Sequence, residues 1–257
     1  MSGRVLILGG TAEARALAQA LHDEGVPIVS SLAGRVTRPR LPAGEVRIGG
    51  FGGPEALARW LTEHGIAAVV DATHPFARRI SASAIQATGL GGVPLLRLER
   101  PGWTAGDGDR WHWVEDLAQA AAAIRALGAS RVLLTTGRQG LDAFARDGDR
   151  WYLIRCVDPP SVALPPRHQV LLDRGPYTLE GELALIDAHG IGLVVTKDSG
   201  GPLTQAKLHA ARARRLPVLV VARPPRPTVR TVRTVAQAAA WVTREDLPHA
   251  ECIDAEL

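Results

Sequence analysis

Apolar residues in this chain come in short continuous runs, and between the runs they recur every three or four positions. Val5-Leu6-Ile7-Leu8 is the first such run, and Gly9-Gly10 ends it. After it Ala14, Leu17, Ala18 and Leu21 fall on one helical face, and Gly25 closes that helix. The same alternation predicts strands over Arg4–Leu8, Pro27–Ser31, Ala67–Asp71 and Pro94–Leu98. It predicts helices over Pro54–His64, which presents Leu57, Trp60 and Leu61, and over Arg78–Thr88. Runs that are apolar on both sides of the pleat suit parallel sheets covered on both faces.

Glu99–Asp109 holds Pro101, Gly102, Gly106 and Gly108 without apolar period and reads as a linker. The alternation then restarts. An aromatic segment, Trp111–Val114, leads into an alanine-rich helix over Glu115–Leu127. Strands are predicted over Arg131–Leu134, Trp151–Val157, Gly192–Thr196 and Pro217–Ala222, with a shorter one at Val170–Leu172. Helices are predicted over Gln139–Ala145, after a Thr178 cap, over Pro202–Arg212, and after a Thr234/Gln237 capping box. The halves echo each other in pattern, not in identity. Val5–Thr11 and Val132–Arg138 both run from strand through a small-residue turn, and Val69–His74 and Val194–Ser199 both run from strand into a polar loop. The chain therefore reads as two similar α/β domains with mostly parallel sheets, residues 1–100 and 101–257. Each has a polar crevice at the carboxyl ends of its strands, and the two crevices are expected to face each other.

Length and composition narrow the class. With 257 residues and 46% hydrophobic content there is material for a sizeable core. No apolar run reaches the length of a membrane span, and the first residues lack the order of a secretory leader. A cytoplasmic protein with no membrane partner is the expectation, and no long amphipathic surface helix calls for a partner, so a monomer is expected. Net charge is +4, without a basic stripe or a nucleic-acid module, so nucleic acid is not expected as a partner. A mildly positive surface suits a small polyanionic substrate. Cys156 and Cys252 lie far apart and near no histidine cluster, so no metal site is expected. Arginine dominates the basic residues. The two lysines, Lys197 and Lys207, stand out as places where a compact ammonium matters.

Several polar constellations sit at predicted strand ends. Gly9, Gly10 and Thr11 read either as a tight turn with Thr11 as N-cap or as a pyrophosphate seat at a helix start. Some twenty residues on, an acid for ribose hydroxyls would signal NAD. This chain has Ser31 and Arg35 there, which suit the 2′-phosphate of NADPH. Glu13 would repel a phosphate and is expected to turn towards a ribose or a loop amide. Gly50 and Phe51, within a run of four glycines, suggest backbone close to a flat ligand such as adenine. Asp71, Thr73 and His74 close a buried strand. His74 suits proton donation, a carboxylate contact or the nicotinamide end, and Asp71 either reacts or fixes the loop. In the second half Thr136, Gly137 and Arg138, with Lys197, Ser199 and Gly200, offer donors to carboxylates, and Arg174 adds an anion contact. Lys197 beside Asp198 also reads as a surface ion pair. No G-x-S-x-G elbow, H-E-x-x-H or Tyr-x-x-x-Lys pair is present.

Taken together, Leu8–Glu13, Ser31–Arg35, Gly49–Gly52, Asp71–Ala77, Thr135–Arg138, Gly175–Thr178 and Thr196–Gly200 resemble the precorrin-6A reductases of cobalamin biosynthesis. That resemblance implies two Rossmann-like domains, and it leaves open whether a strand is exchanged between them. It also implies NADPH-dependent hydride transfer to one double bond of an anionic tetrapyrrole, with a proton added at the neighbouring carbon. By that account Gly9, Gly10, Thr11, Glu13, Ser31, Arg35, Gly50, Phe51 and Thr73 line the cofactor site. Thr136, Gly137, Arg138, Arg174, Ser199 and Gly200 hold substrate, and Lys197, His74 and Asp71 stand nearest the chemistry. Two other readings stay open: a reductase of another anionic conjugated substrate, and a module that binds NADPH without turnover.

Overall fold

The computed structural model describes residues 3–34 and 37–243. The chain divides into two compact units, Met1–Arg100 with Pro225–Leu257, and Pro101–Pro224. The expected second domain ran from 101 to 257. Its last stretch belongs instead to the first unit, because β12 (Thr231–Val232) pairs there and α7 (Val235–Val242) packs there.

The first unit is built on β1 (Arg4–Leu8), β2 (Ile28–Leu32), β3 (Glu45–Ile48), β4 (Ile66–Asp71) and β5 (Leu95–Leu98), connected by α1 (Ala12–Asp23), α2 (Pro54–Glu63) and α3 (Arg78–Gly91). Its sheet has the order β12-β5-β4-β1-β2-β3 and every pairing is parallel. Alternation along β1 sorts its side chains between two cores. Val5 and Ile7 join Leu17, Leu21, Trp241 and Val242 under α1 and α7. Leu6 and Leu8 join Leu57, Leu61 and Ala84 under α2 and α3. Burying both faces explains why the strands read as unbroken apolar runs.

The second unit repeats the plan. It comprises β6 (Arg110–Val114), α4 (Leu117–Leu127), β7 (Arg131–Leu134), β8 (Trp151–Cys156), β9 (His168–Leu172), α5 (Leu179–His189), β10 (Leu193–Lys197), α6 (Ala206–Ala213) and β11 (Pro217–Val221). Its parallel order is β6-β11-β10-β7-β8-β9. In the first sheet the outermost strand beside β5 comes from the other half of the sequence. β6 follows β5 in the chain yet pairs with β11, and β12 follows β11 yet pairs with β5. One strand, β12, thus returns from beyond the second unit to complete the first sheet.

Two predicted helices differ. Gln139–Ala145 contracts to a 3-10 turn at Leu141–Phe144. Gly140 adopts a left-handed conformation with φ of 77°, and a Cβ there would stand 2.6 Å from Leu117 Cδ1. The glycine breaks the helix before it can propagate. Pro202–Arg212 splits into a 3-10 turn, Pro202–Thr204, and α6.

Candidate active site

In open parallel sheets of this kind ligands lie beyond the carboxyl ends of the strands, where the strand order reverses. In the first unit that point is between β1 and β4. The turn after β1 is tied down from both sides. Gly9 N–H donates to the Ser31 carbonyl at 3.0 Å. Thr11 caps α1, its hydroxyl accepting from Ala14 N–H at 3.0 Å and donating to the Ala72 carbonyl at 2.7 Å. The Thr11 side chain therefore caps α1, as the tight-turn reading expects, and joins the first turn to the loop after β4. A Cβ at Gly10 would meet nothing within 4 Å, so open space lies over the turn. Glu13 pairs with Arg100 at 2.5 Å, so a side chain compensates its charge.

Ser31 stands beside Arg47 across β2 and β3. The Arg47 guanidinium donates to the Gly49 and Gly50 carbonyls at 2.6 and 2.7 Å and lies 3.8 Å from the Phe51 ring centroid. One face of Phe51, expected to meet adenine, is thus already covered by a cation, and its ring also meets Trp60 edge-on at 5.3 Å. Arg47 is a candidate that sequence reasoning missed. The signal was there, an arginine two residues before a glycine run, but strand ends often carry such residues. Arg35 lies outside the described residues.

Asp71 ends β4 and is only 2% exposed. Its Oδ1 accepts from Thr73 N–H at 3.2 Å and from the Thr73 hydroxyl at 2.6 Å. Its Oδ2 pairs with Arg226 at 3.4 Å and Arg97 at 3.9 Å. Arg226 also reaches Ser81 Oγ at 3.0 Å, Glu99 at 3.3 Å and the Pro75 carbonyl at 3.4 Å. Asp71, expected among the catalytic groups, therefore has both oxygens engaged in holding the Thr73–Pro75 loop. Thr73 turns its hydroxyl to Asp71. Phe76 N–H donates to His74 Nδ1 at 3.3 Å, which in the neutral ring puts the proton on Nε2.

In the second unit Thr136, Gly137 and Arg138 follow β7, and Lys197, Ser199 and Gly200 follow the adjacent β10. Thr136 Oγ1 is buried with no hydrogen-bond partner among the described residues, a donor and acceptor held ready at a strand end. Burial lowers the Lys197 pKa from its ordinary value. Asp198 is not a surface partner of Lys197. It is buried, accepts from Trp103 N–H at 3.0 Å and pairs with Arg223 at 3.1 Å. Arg174 follows β9, its backbone N–H donating to the side chain of Asp173. Cys156 is buried at the end of β8, and Cys252 lies outside the described residues. Among the described residues no group of three or more metal-ligating side chains occurs, and no helix is long and apolar enough to cross a membrane.

Residues 4–243 match the family model described as Precorrin-6x reductase CbiJ/CobK. A precorrin-6A reductase of Rhodococcus erythropolis is 55% identical over 93% of this chain and 97% of its own. A cobalt-precorrin-6A reductase of Priestia megaterium is 30% identical over 86% of this chain and 90% of its own. The solved structure of CobK precorrin-6A reductase superimposes with a TM-score of 0.88 at 43% identity, covering 93% of this chain and 96% of that one.

Proposed function

The chain belongs to the precorrin-6x reductase family, and on that premise we propose that it reduces one double bond of precorrin-6A with NADPH in cobalamin biosynthesis. The observation that carries the cofactor assignment is the turn between β1 and β4. Open space over Gly10 and the amino end of α1 suit a pyrophosphate. Glu13, neutralised by Arg100, presents no uncompensated charge to it. Ser31 and Arg47 stand together where an acid would serve NAD, and Arg35 belongs to the same stretch. The residues fit the group.

A bound nicotinamide supplies the hydride. The protein's own work is to place and to protonate. Gly9, Gly10 and Thr11 seat the phosphates, Gly50 and Phe51 border the adenine end, and Thr73 and His74 border the nicotinamide end. Thr136, Gly137, Arg138, Arg174, Ser199 and Gly200 receive substrate carboxylates by charge-assisted hydrogen bonds. Lys197 binds the same anion and, with its pKa lowered by burial, gives up a proton more readily than an exposed lysine. His74 and solvent are the alternative donors to the carbon next to the reduced one. The protein works as a cytoplasmic monomer.

Relatives named precorrin-6A reductase reach 54–55% identity, against 28–30% for those named cobalt-precorrin-6A reductase. That difference favours the cobalt-free macrocycle as substrate.

Calorimetric titration with NADPH, NADP⁺ and NADH tests the cofactor reading. The two phosphorylated forms are expected to bind at least about tenfold more tightly than NADH, a difference of ~1.4 kcal/mol. Equal affinities would remove the 2′-phosphate site from Ser31, Arg35 and Arg47.

A further inference from the structure

Lys197 ends β10, and the loop from there to α6 carries Ser199 and Gly200; all three are among the groups assigned to substrate. Apart from one 3-10 turn the loop has no regular structure of its own. It is held instead by Trp103, which lies just inside the second unit and is 7% exposed. Trp103 backbone N–H donates to Asp198 Oδ1 at 3.0 Å. Its indole Nε1–H donates to the Gly201 carbonyl at 3.0 Å. Lys207, at the start of α6, sets its ammonium 4.8 Å from the Trp103 ring centroid and donates to the Thr204 carbonyl. The start of the loop thus meets the Trp103 backbone, and its middle and end meet the indole, directly at Gly201 and through Lys207 at Thr204.

The flanking backbone is equally close. A Cβ at Gly102 would stand 2.5 Å from Asp198 Oδ2. Gly200 sits at φ of 65°, and a Cβ there would run into the Pro101 carbonyl. Apolar packing accounts for the ring of Trp103 but makes no use of its indole N–H. Here the N–H is spent on a loop carbonyl 98 residues away.

We propose that Trp103 is a positioning residue for substrate binding, which fixes the Asp198–Thr204 loop so that Lys197 and Ser199 are preorganised for the substrate's carboxylates. This rests on the reading of that loop as the substrate site. Preorganisation acts by removing the cost of ordering the loop on binding, so its loss falls on substrate affinity and leaves the cofactor untouched.

The test compares Trp103→Phe, Lys207→Met and Lys197→Ala in the full-length protein, by KM for precorrin-6A, Kd for NADPH and hydrogen exchange of the loop amides. Trp103→Phe keeps an aromatic ring and the backbone bond to Asp198, and loses the Gly201 bond together with the second ring of the indole. It is expected to raise KM about tenfold and speed exchange across Ser199–Thr204, with NADPH affinity within about twofold of the parent. Lys207→Met approaches the same loop from the other side. It is expected to shift KM in the same direction, and it serves if Trp103→Phe does not fold. If Lys197→Ala raises KM while neither other variant does, Trp103 is only a core residue and the proposal is overturned. If Lys197→Ala leaves KM unchanged, the substrate assignment of the loop fails, and the proposal fails with it.

Discussion

Lys207 is 3% exposed and shares its surroundings with two other charged side chains. Arg155 pairs with Glu182 at 2.7 Å and lies 3.9 Å from the Tyr177 ring centroid. That pair neutralises itself and leaves the ammonium as the odd charge. Burial first, and Arg155 second, push the Lys207 pKa down to about 7, with Glu182 opposing. The unfolded chain holds this proton up to pH ~10, so between about 7 and 10 it binds more protons than the folded chain. Stability therefore rises with pH across that window. At ~1.4 kcal/mol per pH unit the rise from this group is on the order of 5 kcal/mol. Lys207→Met should flatten that slope and stabilise the protein at pH 7, as urea unfolding from pH 6 to 10 would show. An unchanged slope would mean that Lys207 is not the group responsible. The rarity of lysine made both Lys197 and Lys207 visible in the sequence. The predicted strand placed Lys197 at a strand end, but nothing local showed that Lys207 stands in the core, because burial depends on neighbours far away in the chain. Asp71 illustrates the same gap. Its polarity at a strand end was legible, while its partner Arg226 lies beyond the whole second unit.

Strands and helices whose period is long enough to count were read closely. β1, β4 and α3 all fall within a residue or so at their starts, because apolar runs and one-sided faces are local properties. The elements that escaped are those decided by other means. β12 is two residues long and exists through its pairing with Arg97 and Leu98. The 139–145 helix had the right face but a glycine in the wrong conformation. At this scale Thr11 shows how one cap serves two elements. Thr11→Ala removes the α1 cap and the bond to the Ala72 carbonyl, and should cost ~2 kcal/mol in denaturant unfolding. Thr11→Ser, which keeps both bonds, should cost well under half of that. Similar losses for the two variants would place the contribution in the methyl group.

Over the whole molecule the sequence repeat was legible as two α/β units, but their true membership was not, since no local pattern tells a strand which sheet to join. The last unit boundary follows from pairing: α7 contributes Ala238, Trp241 and Val242 to the core under α1. A chain ended at Pro224 would lose these residues, β12 and Arg226 together. The first unit should then lose protection in hydrogen exchange, while the second unit retains its complete six-stranded sheet. Uniform loss in both would mean that the second unit has no stability of its own.

Synthesis from the amino end gives the returning strand a further meaning. β5 emerges early, yet β12 follows only after all of Pro101–Pro224 has been made. At ~5–20 residues per second that interval is on the order of ten seconds. Throughout it β5 presents an unpaired edge, with Leu96 and Leu98 not yet covered as they are in the finished protein. The second unit, meanwhile, has every strand it needs as soon as β11 is out. The part of the protein whose synthesis starts first is the part that is completed last, and a nascent chain stalled in between offers a ready template for unwanted strand pairing.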